Sequence, residues 1–371
     1  SVIYTPIVID RNHAFTKVDG VLFKQMLKML SLDFICNYDS LILKDTKKIN
    51  KLAFALDMAV AGRSDESVWI RQAQEIRKQM TDSLIDSAFT YLPEGVKHDE
   101  IELIKRKLKR RRLELEAVAS QYYRLLQRTP VVAGTNQSDY FLIERQAPDR
   151  TILRIYDPET GDCRLEQQFS GRETKELWLY GLAGNDTFEV KGNTRKDFPI
   201  YLISGEGENQ YQLNHNRKIH VYDKDYKYDY QKIKYHKISF TPWGIYDSDK
   251  GISLGTFFTY TMYGFKRAPF TYQHRIGYNY LKVFMYAGVF PNYDGRRRLY
   301  LNASISSPRN FENFFGFGNN TAGYKEEKKN YNRVKLRTYM LNPSFEMDLR
   351  KEEVVTFFGS LDMYKAKRTD D

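Results

Sequence analysis

The second half of the chain consists of long segments in which apolar or aromatic residues alternate with small or polar ones. Between Gly251 and Gly264 the even positions are Ile252, Leu254, Thr256, Phe258, Tyr260 and Met262, whereas most odd positions are small or polar. The segment from Phe270 to Leu281 alternates in the same way, and similar segments continue to Tyr364. A period of two predicts β-strands with one apolar and one polar face. Segments of about ten residues also have the length of a transmembrane β-strand.

Aromatic residues are concentrated in this half of the chain. The 371 residues include 28 Tyr, 23 Phe and 3 Trp, and two thirds of these lie after residue 195. Several occur near the ends of the alternating segments, where an aromatic girdle at a membrane interface would lie. The residues that we assign to this girdle are Tyr260, Tyr263, Phe265, Phe270, Tyr272, Tyr278 and Tyr280. A water-soluble sheet with one face on a core has the same period and stays an alternative.

The first half of the chain changes from a helical period to a strand period. Helical spacing of apolar residues predicts helices over about 21–36, 45–61, 65–91 and 99–127. Short period-two segments separated by turn residues then predict a small antiparallel β domain. We therefore predict an α+β protein with a helical region at 1–130, the small antiparallel β domain at 138–223, a linker at 224–240, and strands of an incomplete antiparallel transmembrane β-barrel at 241–371.

The charge balance is basic, with a net charge of +11 and a run of seven basic residues in eight at 105–112. A basic helix suggests nucleic acid or anionic lipid as a ligand. This run would encircle its helix, and Glu102 and Glu114 lie close to it, so we interpret it as a solvated helix surface and expect no nucleic-acid partner. The two cysteines, Cys36 and Cys163, have no metal-ligand spacing and are predicted to be buried free thiols, with one disulfide as the alternative.

Three stretches resemble a known family. Asn313-Phe-Phe-Gly-Phe-Gly-Asn-Asn-Thr321, together with Gly264-Phe-Lys-Arg-Ala-Pro-Phe270, resembles the barrel domain of bacterial surface antigens of the BamA/TamA-like group. Glu176-Leu-Trp-Leu-Tyr-Gly-Leu-Ala-Gly-Asn-Asp-Thr-Phe188 resembles the β segment before that barrel in multidomain outer-membrane proteins of Bacteroidota. Pro6-Ile-Val-Ile-Asp10-Arg-Asn-His-Ala-Phe15 is similar to a PIxxDRDxxF segment of the same proteins.

The resemblance implies a barrel anchored in the outer membrane, with the helical and small β modules on its periplasmic side. Outer-membrane lipid, and other outer-membrane or periplasmic proteins, would then be its partners, and membrane-protein insertion or export would be its activity. The family's barrel has about twice as many strands as are visible here, and its calcineurin-like phosphoesterase domain has no counterpart in the chain. We therefore expect a fragment of a longer protein.

Two aspartates are candidate metal ligands. Asp10 follows an apolar strand, where kinase-like folds place a magnesium-binding carboxylate, but the family's second Asp is Asn12 here. A structural turn or ion pair is the alternative. Asp186 lies in Gly181-Leu-Ala-Gly-Asn-Asp-Thr-Phe188, which aligns with Ser204–Tyr211 at an offset of 23 and resembles a calcium-binding glycine-rich repeat. Because copies 23 residues apart are not expected to stack, tight glycine turns are the alternative to calcium.

No catalytic set can be assembled from the sequence. The histidines show no metal-ligand spacing, and no nucleophile motif is present. The strand pattern predicts membrane-spanning strands, and the family resemblance implies that the protein is anchored in the outer membrane. One alternative is an enzyme, kinase-like or phosphoesterase, whose motifs lie upstream, and the other is a soluble β-rich module that binds glycans through exposed aromatic residues.

Overall fold

The computed structural model describes residues 15–29, 32, 34–92, 95, 97–192, 196–214, 218–223, 228–234, 236–247, 251–264, 269–281, 283–292, 296–308, 311–313, 333–350 and 353–366. The chain is an α+β protein that divides into two compact units, Ser1–Ile233 and Lys234–Asp371. The boundary falls inside the predicted linker. Within the described residues both cysteines are free thiols, and Cys163 is exposed rather than buried.

The helices are shorter and more numerous than their apolar patterns predict. They are α1 (Val21–Met29), α2 (Thr46–Ile49), α3 (Phe54–Val60), α4 (Glu66–Gln79), α5 (Asp82–Ala88), α6 (His98–Leu113) and α7 (Leu115–Leu126). At two of the breaks between helices, a side chain accepts backbone N–H groups. At the start of α5 the Thr81 hydroxyl accepts a hydrogen bond from the Leu84 N–H. Glu114, between α6 and α7, accepts N–H groups of Ile42 and Leu43. None of the described helices has the length and apolar content needed to cross a membrane.

One predicted helix buries a different face from the one expected. A single helix over 45–61 would place Leu52, Leu56 and Val60 on its apolar face, yet all three side chains are exposed. Phe54 and Met58 are buried instead. The chain turns between α2 and α3, and this break moves the face of α3 that packs against the rest of the unit.

In its described residues, the small β domain contains nine strands in two sheets. They are β1 (Val131–Ala133), β2 (Tyr140–Gln146), β3 (Arg150–Tyr156), β4 (Cys163–Ser170), β5 (Leu177–Tyr180), β6 (Thr187–Gly192), β7 (Ile200–Gly205), β8 (Gln210–Leu213) and β9 (Ile219–Asp223). The first sheet has the order β1-β5-β7-β9 and is parallel throughout. The second has the order β4-β3-β2-β6-β8, in which only the β2–β3 and β3–β4 pairs are antiparallel. The prediction of an antiparallel domain was therefore wrong, because period two reports which face a residue occupies and not the direction of its neighbour.

The parallel strands arise because the chain passes repeatedly from the first sheet to the second. Three such passes, β1–β2, β5–β6 and β7–β8, have the same length, and we call them rungs 1, 2 and 3. A strand residue of rung 2 and its paired residue in rung 3 are 23 positions apart in the sequence. Between rungs 1 and 2 the offset is 47 positions, because the β3–β4 hairpin is inserted there. The core lies between the two sheets, and its fully buried members include Phe141, Leu179, Phe188 and Leu202.

The second unit is one antiparallel sheet of long strands. They are β10 (Lys237–Asp247), β11 (Gly251–Met262), β12 (Tyr272–Asn279), β13 (Val283–Pro291), β14 (Arg297–Ser306), β15 (Phe311–Asn313), β16 (Arg333–Arg350), β17 (Glu353–Phe358) and β18 (Leu361–Ala366). Consecutive strands pair from β10 to β14, and β14 pairs with β16. β15 also pairs with β16, and so do β17 and β18. Among the described residues, β10 at one edge does not pair with β17 or β18 at the other.

Replacement of Phe188 tests the stacked core of the first unit. Its ring is fully buried between Phe141, at 4.5 Å between centroids, and Tyr211, at 5.7 Å, so each rung contributes one ring. Phe188→Ala should lower the free energy of unfolding by about 3–5 kcal/mol, measured by urea denaturation of the full chain. Tyr91→Ala, at a site that is 88% exposed, is the control and should change it by less than about 0.5 kcal/mol. An equal effect of the two substitutions would contradict the stacked core.

Candidate functional site

The two predicted metal ligands have different outcomes. Asp10 lies outside the described residues, as does Asn12. Asp186 is well described and lies in the turn between β5 and β6. The described part of the chain contains no group of three or more His, Cys, Asp or Glu side chains placed to hold a metal ion.

The Asp186 turn belongs to a stack of three related turns. They are 134–139, 181–186 and 204–209, and each connects the two strands of one rung. The alignment of Gly181–Phe188 with Ser204–Tyr211 was visible in the sequence, whereas the third copy was missed because the β3–β4 hairpin separates it by 47 residues. The expectation that copies 23 residues apart do not stack was wrong, since Ala183 and Glu206 form a parallel bridge between two of these turns.

Side-chain hydrogen bonds connect the three turns at their last position. Asp186 Oδ1 accepts the Asp139 N–H at 2.9 Å, and Asn209 Oδ1 accepts the Asp186 N–H at 2.9 Å. One position earlier in the turns the side chain of rung 2 accepts from the backbone of rung 3, which is the opposite direction along the stack. Here Asn185 Oδ1 accepts the Glu208 N–H at 2.9 Å. These bonds give acceptors to three turn amides, of which that of Asp139 is buried.

The Asp186 carboxyl is nevertheless incompletely satisfied. Its side chain is fully buried, and Oδ2 has no hydrogen-bond partner among the described residues. Burial raises the pKa of Asp186 to about 7, and the nearby Asp139 carboxylate adds to the increase, while the hydrogen bond from the Asp139 N–H opposes it. A Cβ at Gly181 would lie 2.1 Å from this Oδ2 and 2.4 Å from the Ser204 carbonyl oxygen, so only glycine fits there. The turn therefore holds a carboxyl that is about half protonated near neutral pH.

The largest surface feature of the second unit is the apolar face of its sheet. Along β11, Ile252 and Leu254 are 64% and 61% exposed, whereas Ser253 between them is 5% exposed. The same face carries further exposed apolar side chains, namely Phe258, Ile276, Tyr278, Phe284, Leu299, Ile305, Leu341, Phe345, Phe357, Leu361 and Met363. The strand registers join these residues into continuous rows across the sheet. We call this surface the apolar band.

The opposite face is polar and more shielded. Its residues bind one another across the strands: Gln273 Nε2 donates to Thr261 Oγ1 at 2.9 Å, and the Ser306 and Thr338 hydroxyls lie 2.6 Å apart. Arg298 forms an ion pair with Glu346 at 3.3 Å. The polarity of this sheet is thus the reverse of that in a soluble sandwich, where the apolar face is buried.

A shallow cavity of about 270 Å³ opens on the polar face. Phe257 and Arg275 form one wall, with the guanidinium 5.7 Å from the ring centre, and Asn302 and Asn342 lie opposite. Trp243 stacks on the other side of Phe257 at 5.7 Å. Polar and aromatic groups therefore line this cavity together.

Of the seven predicted girdle residues, four lie on the apolar band near the ends of their strands. Tyr260 and Tyr272 are paired at 6.1 Å at one end, and Tyr278 and Tyr280 lie toward the other end. Tyr263 and Phe270 flank the connection between β11 and β12, and Phe265 lies outside the described residues.

The basic helix segment at 105–112 makes many contacts within its own unit. Lys107 Nζ donates to the Tyr38 carbonyl at 2.7 Å, and the Arg111 guanidinium lies 4.2 Å from the centre of the Tyr38 ring. Lys109 pairs with Asp86 and Arg112 with Asp82, both at 2.8 Å. A substantial part of this positive charge is therefore used in packing α6 against neighbouring segments.

The Asp186 carboxyl makes the stability of the first unit depend on pH. Its pKa is raised in the folded chain, so its contribution to stability is fully present below about pH 4 and is lost as the pH rises to about 7. Asp186→Asn keeps the acceptor for the Asp139 N–H and removes the charge. We expect the variant to be more stable than the native chain at pH 8, by about 4 kcal/mol at most, and nearly equal at pH 4.

Urea denaturation at pH 4, 6 and 8 measures this difference, and Glu206→Gln, at an exposed turn position, serves as the control. A loss of stability in Asp186→Asn at pH 8, together with calcium-dependent stability of the native chain, would contradict this account. That result would instead support the calcium hypothesis for Asp186.

The stretches that resemble surface antigens are only partly described. Glu176–Phe188 forms β5, the second turn and the start of β6, while 314–321 and 6–14 lie outside the described residues. No protein-family model, curated protein or solved structure matches the chain. The family resemblance therefore stays a prediction.

Proposed function

We propose that the second unit is the membrane-embedded part of an outer-membrane β-barrel protein and that it anchors the chain in the bilayer. The observation that carries this proposal is the exposure of the apolar band. In water, exposed apolar surface costs about 25 cal/mol per Å², whereas the same surface is favourable against lipid. On the other face, Gln273 binds Thr261 and Ser306 binds Thr338 across the strands, as is expected of polar side chains in the lumen of a barrel.

The dimensions of the sheet support this proposal. β10, β11 and β14 have 11, 12 and 10 residues, which matches the 9–11 or so of a tilted transmembrane strand. From Ile252 to Met262 the apolar band of β11 extends about 34 Å along the strand. After tilting, this is close to the height of roughly 25 Å expected for a lipid-facing band.

The proposal requires further strands at the edges of the sheet. Unpaired backbone groups cost several kcal/mol each in hydrocarbon, so a membrane sheet must close. Within the described residues the edges at β10 and at β17–β18 pair with nothing. Strands beyond these must complete the barrel, in agreement with the larger strand number that the family resemblance implies.

In this proposal the first unit is a periplasmic module with a structural or binding role. Its contribution to insertion or export of other proteins rests on the family resemblance alone. Its described residues offer no assembled catalytic set, and the enzymatic alternative depends on segments upstream of it. The outer membrane, as opposed to another bilayer, likewise follows from the resemblance.

A charge placed on the apolar band tests the anchor. Ile276 lies in the middle of the band and is 56% exposed. We test the protein together with the strands that close its barrel, and we expect Ile276→Arg to prevent its stable insertion into phosphatidylcholine vesicles, since arginine at the bilayer midplane costs about 2–4 kcal/mol. The fraction of chain that floats with vesicles and resists extraction by urea measures insertion.

Asn302→Arg is the matched control, because Asn302 lies on the polar face at nearly the same height of the sheet. It should insert as the native chain does. If the native chain stays monomeric in water without detergent and does not float, the anchor is refuted. Binding of oligosaccharides by that soluble form would then favour the glycan-binding alternative.

A further inference from the structure

Strand β16 extends beyond the apolar band at one end. It has 18 residues and a length of about 60 Å, much more than the band needs. Phe345, Leu341 and Tyr339 lie on the band side of the strand, and the next residues of the same face are Arg337 and Lys335. Both of these side chains are exposed. The face therefore changes along one strand from aliphatic to aromatic to cationic.

The neighbouring strand repeats this order. In β18, Leu361 and Met363 belong to the band, and Lys365 is the next residue on that face. Lys365 lies directly opposite Arg337 in the register of β16 and β18. Like charges in directly opposite positions destabilise a sheet. A surface with this arrangement therefore favours an anion between the two strands.

The protein supplies no such anion in its described part. No described carboxylate lies within 4.0 Å of the charged atoms of Lys335, Arg337 or Lys365. Asp362, the acid closest in sequence to Lys365, has the opposite parity in β18 and pairs with Met340. Its side chain therefore belongs to the polar face, where it accepts the Ser360 hydroxyl.

We propose that Lys335, Arg337 and Lys365 bind the phosphate groups of anionic membrane lipids at this border of the apolar band. This inference rests on the proposed membrane anchor. The three cations continue the lipid-facing surface without interruption, so the anion that reaches them is the headgroup of a lipid whose chains lie against Tyr339, Leu341 and Met363. The order of charge, aromatic ring and aliphatic side chain matches the order of headgroup, interface and hydrocarbon in a leaflet.

The topology indicates which leaflet is involved. The longest segment between successive strands of this unit joins Asn313 of β15 to Arg333 of β16. These two residues are paired at the cationic end, while β10 begins at the opposite end. Long connections of outer-membrane barrels lie on the outer side. The chain enters the sheet at the start of β10, on one side of the membrane. The lipid phosphates would thus be those of the leaflet on the other side.

The test compares two double variants of the full chain in neutral detergent micelles. Arg337→Gln/Lys365→Gln removes the facing pair, and Lys78→Gln/Lys97→Gln removes two exposed charges from the first unit as the control. Binding of a fluorescent phosphatidylglycerol, competed by unlabelled phosphatidylglycerol, phosphatidylcholine or inorganic phosphate, gives the affinities. We expect the facing-pair variant to bind phosphatidylglycerol about 30-fold more weakly and the control variant to bind like the native chain.

Arg337→Lys/Lys365→Arg should restore the affinity, which separates charge from folding. Equal affinities of the facing-pair variant and the native chain, or an equal loss in the control variant, would overturn the proposal. Competition by inorganic phosphate at the same concentration as the lipid would also overturn it, because the site would then bind a free anion. Flotation with phosphatidylcholine vesicles is scored separately: its failure in the native chain refutes the anchor, whereas normal flotation without lipid preference refutes only this site.

Discussion

The constraint on which the second unit depends is the agreement between a period of two in each strand and the register that joins the strands. Because the registers join the even-numbered residues of β10 to β13 to the odd-numbered residues of β14 and β16, large apolar side chains from these strands meet on one face. A slip of one residue in any pair would mix the two faces. The polar face fixes the register from its own side, since Asn279 reaches Ser253 and Ser306 reaches Thr338 across strand pairs. The result is a sheet that exposes large apolar side chains on one face, as the proposed membrane anchor requires.

In the first unit the strands are joined by stacked turns, and the backbone groups of these turns need hydrogen-bond partners. At the ends of its parallel strands lies a stack of turns in which side chains accept backbone N–H groups from the neighbouring rung. Asp186 Oδ1 accepts the Asp139 N–H, and Asn209 Oδ1 accepts the Asp186 N–H. The cost is a buried carboxyl at Asp186 with one oxygen unsatisfied. Asn209 occupies the equivalent place in rung 3 without a charge, and this explains why an amide is the natural replacement at position 186.

The sequence predicted the type of most elements, because each rests on a local period. The helices of the first third and the long strands after Lys237 follow from the spacing of apolar residues, and the α+β class follows from their order. Strand direction in the small β domain could not be predicted in this way. It depends on partners 23 and 47 residues away, and the inserted β3–β4 hairpin hides the repeat. The helix breaks near Met80 and Glu114 depend on capping and on a contact with Ile42, which spacing does not encode.

The sequence predicts the position of a candidate residue where that position depends only on which face of the sheet the residue occupies. Tyr260, Tyr272, Tyr278 and Tyr280 could be placed by parity alone. Asp186 was noticed for its glycine-rich surroundings, but its partners Asp139 and Asn209 come from other rungs. The facing of Arg337 and Lys365 arises only from the register of β16 and β18, and no spacing in the sequence indicates it.

The most direct test of the lipid-facing band is a spin-label scan of β14 in the full chain, with Cys36 and Cys163 replaced by serine. Single cysteines from Arg297 to Ser306 are labelled after reconstitution in vesicles, and collision rates with oxygen and with a water-soluble nickel chelate are compared. The account predicts a period of two, with oxygen access highest at Leu299, Leu301 and Ile305 and nickel access highest at Arg298, Asn302 and Ser304. Nickel access that is highest at Leu299 and Ile305 would contradict it, because the apolar band would then face water.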